Sequence, residues 1–209
     1  MHSFGFWSVL RFGAVRCGAV LARRALLVVV TVLTASRRRR VRIHTIMSRK
    51  HFFSSPEGVV HHMLNSLVTR NPFLGLDAPN RVVYNTAHPP NQVTIISGGG
   101  SGHEPAWSGF VGDGMLSAAV CGDIFASPST KQIMAGIRNV PSNEGVILCI
   151  TNYTGDMLHF GLAREKGQAL GYKVDVVCMA EDAALGREKS GKVGRRGLAG
   201  NLLGEFWSC

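Results

Sequence analysis

Residues 93–105 read VTIISGGGSGHEP. From Val93 to Ile96 every side chain is apolar or β-branched, and the run ends on Ser97, which predicts a strand buried on both faces. That strand runs straight into Gly98-Gly99-Gly100-Ser101-Gly102, so it is expected to deliver a flexible, amide-rich turn at its C-terminal end. Residues 145–151 (GVILCIT) repeat the arrangement, a strand that ends in the polar loop Asn152-Tyr153-Thr154-Gly155-Asp156. Two buried strands with polar C-terminal loops place any chemistry at one edge of a sheet.

Working outward, residues 82–84, 116–121 and 173–179 are further strand candidates. Ser54-Ser55-Pro56-Glu57 predicts a helix start, with Ser as N-cap, Pro in the first turn and Glu reaching back as a capping box. Val60, Met63, Leu64, Leu67 and Val68 follow at helical spacing, and Asn71-Pro72 ends the run. His61 and His62 on that helix read as surface residues. Ser127-Pro128 is expected to cap a second helix through Ile133, Met134 and Ile137. Asp156 can cap a third, carrying Leu158, Leu162 and Leu170, and residues 198–206 look helical. Alternating strands and helices with buried runs predict an α/β fold, a mostly parallel sheet flanked by helices.

The net charge of +10 comes from 23 basic and 13 acidic residues, yet it does not point to nucleic acid. Residues 1–46 hold nine Arg and no Asp or Glu, which leaves 23 − 9 = 14 basic against 13 acidic residues in the remainder. The segment is read as non-globular and outside the fold. Three readings suit it: the h-region of a signal peptide at residues 25–35, an Arg-rich mitochondrial presequence, or an extension upstream of a start at Met47. The third is favoured. The five cysteines form no C-x-x-C pair, and Cys121, Cys149 and Cys178 sit in apolar runs, which suits buried thiols in reducing surroundings. A cytoplasmic protein is expected, or a mitochondrial one if residues 1–46 are a presequence.

Several familiar motifs fail on inspection. GREKSGKV at 186–193 has P-loop spacing, but Val193 stands where the Ser or Thr that holds Mg²⁺ belongs. G-x-G-x-x-G fails because His103 occupies its sixth position. GGSGH at 99–103 approaches the nucleophile elbow of serine hydrolases, with Ser101 as nucleophile, except that His103 replaces the last glycine. No metal-ligand cluster is apparent. What remains is a glycine-rich loop with His103 at its lip, suited to acid/base work, beside Asp156, whose bland reading is a helix N-cap.

GGGSGHEP (98–105), GFVGDGMLSAAVCGDIFASPS (109–129), TNYTGDMLHFGLAREK (151–166) and GRRGLAG (194–200) together resemble, in order and spacing, the substrate-binding (DhaK-type) unit of dihydroxyacetone kinases. The resemblance runs from about residue 50 to residue 203, giving a domain at 47–203 followed by an atypical tail at 204–209. It implies transfer of the γ-phosphoryl of ATP, with Mg²⁺, to a hydroxyl of dihydroxyacetone. It also implies that Gly100, Ser101, Gly102, His103, Thr151 and Asp156 contact substrate, with His103 in proton transfer and Asp156 as the base. Thr151 departs from members with Lys at that position, so it supplies a hydroxyl without charge. The family's covalent hemiaminal histidine and its helical ATP-binding domain or subunit find no counterpart here. The expectation is an incomplete, inactive member that binds a triose, pairs with an ATP-binding partner, and is a homo-oligomer in its full-length form. A truncated sheet is expected to expose an apolar face. Two rivals stand: a non-catalytic triose-binding or regulatory protein, and a hydrolase using Ser101.

Overall fold

The computed structural model describes Phe52, Phe53 and residues 55–184, 186 and 193–202. The readings placed on residues 1–46, Ser54, 204–209 and most of the lysine-bearing loop at 187–192 lie outside the described residues.

Helix α1 spans Val59–Arg70, burying Val60 and Leu64 and packing Met63, Leu67 and Val68 against the same cluster. His61 and His62 are exposed. The helix starts later than the Ser-Pro-Glu pattern suggests. The Ser55 hydroxyl accepts from the Glu57 amide at 3.1 Å and the Pro56 carbonyl from Val59 N at 3.3 Å, so these residues close a local turn instead of a helical one. Gly58, at φ 78°, makes the left-handed exit from that turn and becomes the N-cap.

Six strands follow: β1 (Leu74–Asp77), β2 (Val82–Asn85), β3 (Thr94–Ser101), β4 (Ala118–Ile124), β5 (Val146–Thr151) and β6 (Val174–Met179). They form one sheet in the order β1-β2-β4-β3-β5-β6. The pairs β4/β3, β3/β5 and β5/β6 are parallel, whereas β1/β2 and β2/β4 are antiparallel. The mostly parallel α/β expectation therefore holds, with an antiparallel edge. Strand β1 escaped sequence reading because LGLD, unlike the equally short VVYN of β2, has none of the β-branched or aromatic residues that mark a strand.

Side chains alternate across the sheet. Val82, Ile96, Ala118, Val120, Leu148 and Ile150 face helices α2 (Thr130–Asn139) and α3 (Thr154–Ala169), while Val83, Ile95, Ala119, Cys121 and Cys149 face α1 and the 104–116 loop. Burial pushes the Cys121 thiol up to about 12, so it remains protonated and packs as a small apolar group. Cys149 is buried and Cys178 half-buried.

The glycine run is not a flexible turn. Gly98, Gly99 and Gly100 belong to β3 and are buried. They are glycines because neighbours occupy the space of a side chain. A Cβ on Gly99 would lie 2.5 Å from the Trp107 ring, and one on Gly100 2.7 Å from the Ala126 backbone nitrogen. Only Gly102, at φ 102°, needs the freedom of a residue without Cβ.

Two helices also depart from expectation. Ser129, not Ser127, caps α2, in a capping box with Gln132. Helix α3 buries Asp156, Phe160, Ala163 and Gly167, and Leu158, Leu162 and Leu170 are exposed by 66%, 56% and 61%. Small residues win the inward face because the helix lies close on the sheet: a Cβ on Gly167 would sit 3.1 Å from Val174. Leu158, Leu162 and Met157 border a groove with Val176 and Cys178 of edge strand β6.

Gly161, also on α3, has no atom within 4 Å of where its Cβ would stand. Gly161→Ala is expected to stabilise the protein by about 1 kcal/mol, the helix-propensity difference. Urea unfolding with a midpoint at or below that of the unsubstituted chain would contradict this.

Candidate functional site

The C-terminal ends of β3 and β5, the β4–α2 loop and the 197–199 stretch enclose a cavity of about 520 Å³, within the usual range for small-molecule sites. Gly100, His103, Thr151 and Asp156, four of the six residues singled out from sequence, line it. They are brought together because β3 and β5 are neighbouring parallel strands, so the loops at their ends emerge side by side.

His103 is held by three contacts. Its Nδ1 lies 2.9 Å from the Gly100 carbonyl, which can only accept, so Nδ1 carries a proton and Nε2 is the ring nitrogen left for a ligand. Trp107 and Phe125 meet the ring edge-on at centroid distances of 5.7 and 5.3 Å. Phe125 reaches this position from a left-handed backbone (φ 52°), pinned by its amide donating to the Ser101 carbonyl at 2.8 Å.

Asp156 is the third residue of α3. Tyr153 holds the N-cap position, and the helix has no side-chain cap, so the plain capping reading of Asp156 is wrong. The carboxylate is only 5% exposed and turns into the cavity. Burial raises its pKa above the ordinary value, opposed by a hydrogen bond from Ser127 and by the charges of His103 and His159. Gly155 makes room for that contact, since a Cβ there would lie 2.6 Å from Ser127 Oγ.

Thr151 ends β5 and is buried. Among the described residues three buried side-chain polar atoms have no hydrogen-bond partner, and two of them, Thr151 Oγ1 and Asp156 Oδ1, belong to residues lining this cavity. Native structures rarely leave such atoms unmet.

Ser101 and Gly102 do not line the cavity. The Ser101 hydroxyl is buried and donates to the Gly122 carbonyl at 2.9 Å, and the Gly102 amide donates to the Glu104 carboxylate at 3.0 Å. With its proton committed to a carbonyl and His103 engaged at Gly100, Ser101 lacks the hydroxyl-on-imidazole pair that a serine nucleophile requires. Sequence reading missed Trp107, Phe125, Ser127, Tyr153 and Leu198, which line it together with Ala106, Gly197 and Ala199. For Ser127 a signal existed: Ser129 and Gln132 have capping-box spacing, which frees Ser127 for other work.

A family model, the Dak1 domain, matches residues 65–205, which include every residue lining the cavity. The dihydroxyacetone kinase of Pichia angusta is 49% identical over 157 residues, covering 75% of this chain and 26% of its own length. The crystal structure of the dihydroxyacetone kinase from C. freundii in complex with AMP-PNP and Mg²⁺ superposes with a TM-score of 0.68 at 39% identity, over 76% of this chain and 30% of that one. The dihydroxyacetone kinase operon co-activator Dha-DhaQ superposes with a TM-score of 0.65 at 36% identity, over 69% of this chain and 44% of that one. The chain thus spans about a quarter of the length of the curated relatives it matches.

Proposed function

The chain belongs to the dihydroxyacetone kinase family through its Dak1 domain, and on that premise we propose that its cavity binds dihydroxyacetone or a similar triose for phosphorylation by ATP. The carrying observation is the pair of unmet acceptors, Thr151 Oγ1 and Asp156 Oδ1, buried in the same cavity as His103. A small polyol ketone satisfies them: one hydroxyl donates to Asp156, and the carbonyl oxygen and second hydroxyl reach Thr151 Oγ1 and His103 Nε2.

The chemistry fits a buried carboxylate. A primary alcohol becomes nucleophilic as its proton passes to Asp156; the new O–P bond then forms while the bond from the γ-phosphorus to the ADP oxygen breaks. Asp156, the single carboxylate lining the cavity among the described residues, is engaged by the triose hydroxyl, and no Lys or Arg lines the cavity to meet the charge of a triphosphate, so the lining does not fit a Mg²⁺–triphosphate site. ATP and Mg²⁺ are accordingly assigned to protein beyond the matched stretch, and the chain alone is read as binding the triose without transferring phosphate.

A second reading, a triose-binding regulator without catalysis, is favoured by the likeness to the operon co-activator. Both readings rest on triose binding. Calorimetric titration of dihydroxyacetone into the full chain should show binding that His103→Ala weakens at least tenfold, about 1.4 kcal/mol or more. Absence of binding by the unsubstituted chain would overturn both.

A further inference from the structure

The GRRGLAG stretch (194–200) lies far in sequence from the strand ends it touches, yet Gly197, Leu198 and Ala199 form one wall of the cavity. Its fastening is unusually dense. Asn152, just past β5, donates through Nδ2 to the carbonyls of Val193 (2.9 Å) and Arg195 (2.6 Å). Just past β6, the Asp182 amide donates to the Arg196 carbonyl at 3.0 Å. The Asp182 side chain, 4% exposed, takes Arg196 Nη2 and Nε on one oxygen at 2.8 and 3.1 Å. Glu181 Oε1 accepts the amides of Leu198 (2.6 Å) and Gly200 (2.8 Å), the two residues bracketing Ala199. Gly197 completes the closure, lying so near β5 that a Cβ would stand 3.0 Å from Thr151 Cα and 2.9 Å from Asn152 N.

From this geometry we infer that Glu181 and Asp182 are positioning residues of the triose site, which set its affinity by holding the 193–200 strap against Thr151. Neither lines the cavity; both act through the strap. The physical reason is preorganisation. A wall formed by an extended segment with few apolar contacts would open readily, and ligand affinity falls in proportion to the closed fraction. The two consecutive residues fasten different points of the strap. Buried Asp182 fixes Arg196 through a charge-assisted pair, and exposed Glu181 catches the amides on either side of Ala199, which lines the cavity.

The inference rests on the triose reading, and one experiment on the full chain separates the two. Amide hydrogen exchange without ligand is measured beside dihydroxyacetone calorimetry for the unsubstituted chain, Glu181→Ala and Glu181→Gln. Glu181→Ala should speed exchange at Leu198 and Gly200 about tenfold and raise the triose Kd about fivefold, with little change in melting temperature because Glu181 is exposed. Glu181→Gln keeps an acceptor oxygen and should restore both. Faster exchange with unchanged triose affinity would overturn the inference while leaving the triose reading intact. Unchanged exchange in Glu181→Ala would overturn it outright. If the unsubstituted chain binds no triose, the affinity claim fails together with the triose reading, and exchange alone then reports whether Glu181 fastens the strap.

Discussion

Asp156→Asn is expected to raise the melting temperature of the protein while weakening triose binding at least tenfold. The two effects have one cause. Burial holds the Asp156 pKa above its ordinary value, with Ser127, His103 and His159 compensating only in part, so the ionised carboxylate costs the folded state free energy near neutral pH. The sign follows from proton binding. Between the ordinary carboxylate pKa and the raised folded value, the folded chain keeps a proton that the unfolded chain has released. This group's contribution therefore favours folding at acid pH and declines as pH rises through that window. Asparagine carries no charge to bury, so the cost and its pH dependence both disappear. For a chain of this size each kcal/mol relieved raises the melting temperature by about 2–4 °C. Binding moves the other way, because a charge-assisted acceptor worth about 1.5–3 kcal/mol becomes a neutral amide. A lower melting temperature, or undiminished binding, would show that Asp156 is a structural residue and not a functional one held at a cost to stability.

Gly98→Ala should have the opposite character, a large loss of stability. Gly98 sits in β3 between β4 and β5, paired with Val120. A Cβ there would press into the Val120 carbonyl oxygen and lie 3.1 Å from Phe160 Cζ, in the centre of the buried cluster. The ladder pins the carbonyl, and Phe160 is fully buried, so neither can yield cheaply. The expected cost is about 3 kcal/mol or more, at the high end for a single added methyl. Urea unfolding, or failure to recover soluble protein, would register it. Near-normal stability would mean that the glycine run serves flexibility after all. Contrasted with Gly161→Ala, the same substitution tests whether each glycine is read from its surroundings.

That contrast marks where sequence reading succeeds. Long apolar runs such as Val146–Thr151 and the spacing of Val60, Leu64, Leu67 and Val68 revealed the sheet and α1, because burial on a regular element leaves a periodic trace. The glycines of β3 carried no such trace. A residue selected for the absence of a side chain looks the same whether it relieves a turn or admits a neighbouring backbone, and only the neighbour decides. Helix α3 misled for a related reason. Leu158 and Leu162 suggest an inward face, but close approach to the sheet selected Ala163 and Gly167 instead.

The candidate site was legible as far as its chemistry was concentrated in strand-end loops: Gly100, His103, Thr151 and Asp156 all line one cavity. Ser101, next to Gly100 in β3, turns the other way to Gly122, since neighbours on an extended segment point to opposite sides, and Gly102 lies beyond the strand at φ 102° with its amide on Glu104. Trp107, Phe125, Ser127 and Leu198 arrive from loops whose course no local pattern fixes.

The most direct test of the central reading is a heteronuclear NMR titration of dihydroxyacetone into the ¹⁵N-labelled full chain. We expect saturable shifts concentrated on the amides of Gly100, His103, Thr151, Asp156 and Leu198. Shifts confined to the groove between α3 and β6, or none at millimolar triose, would contradict it.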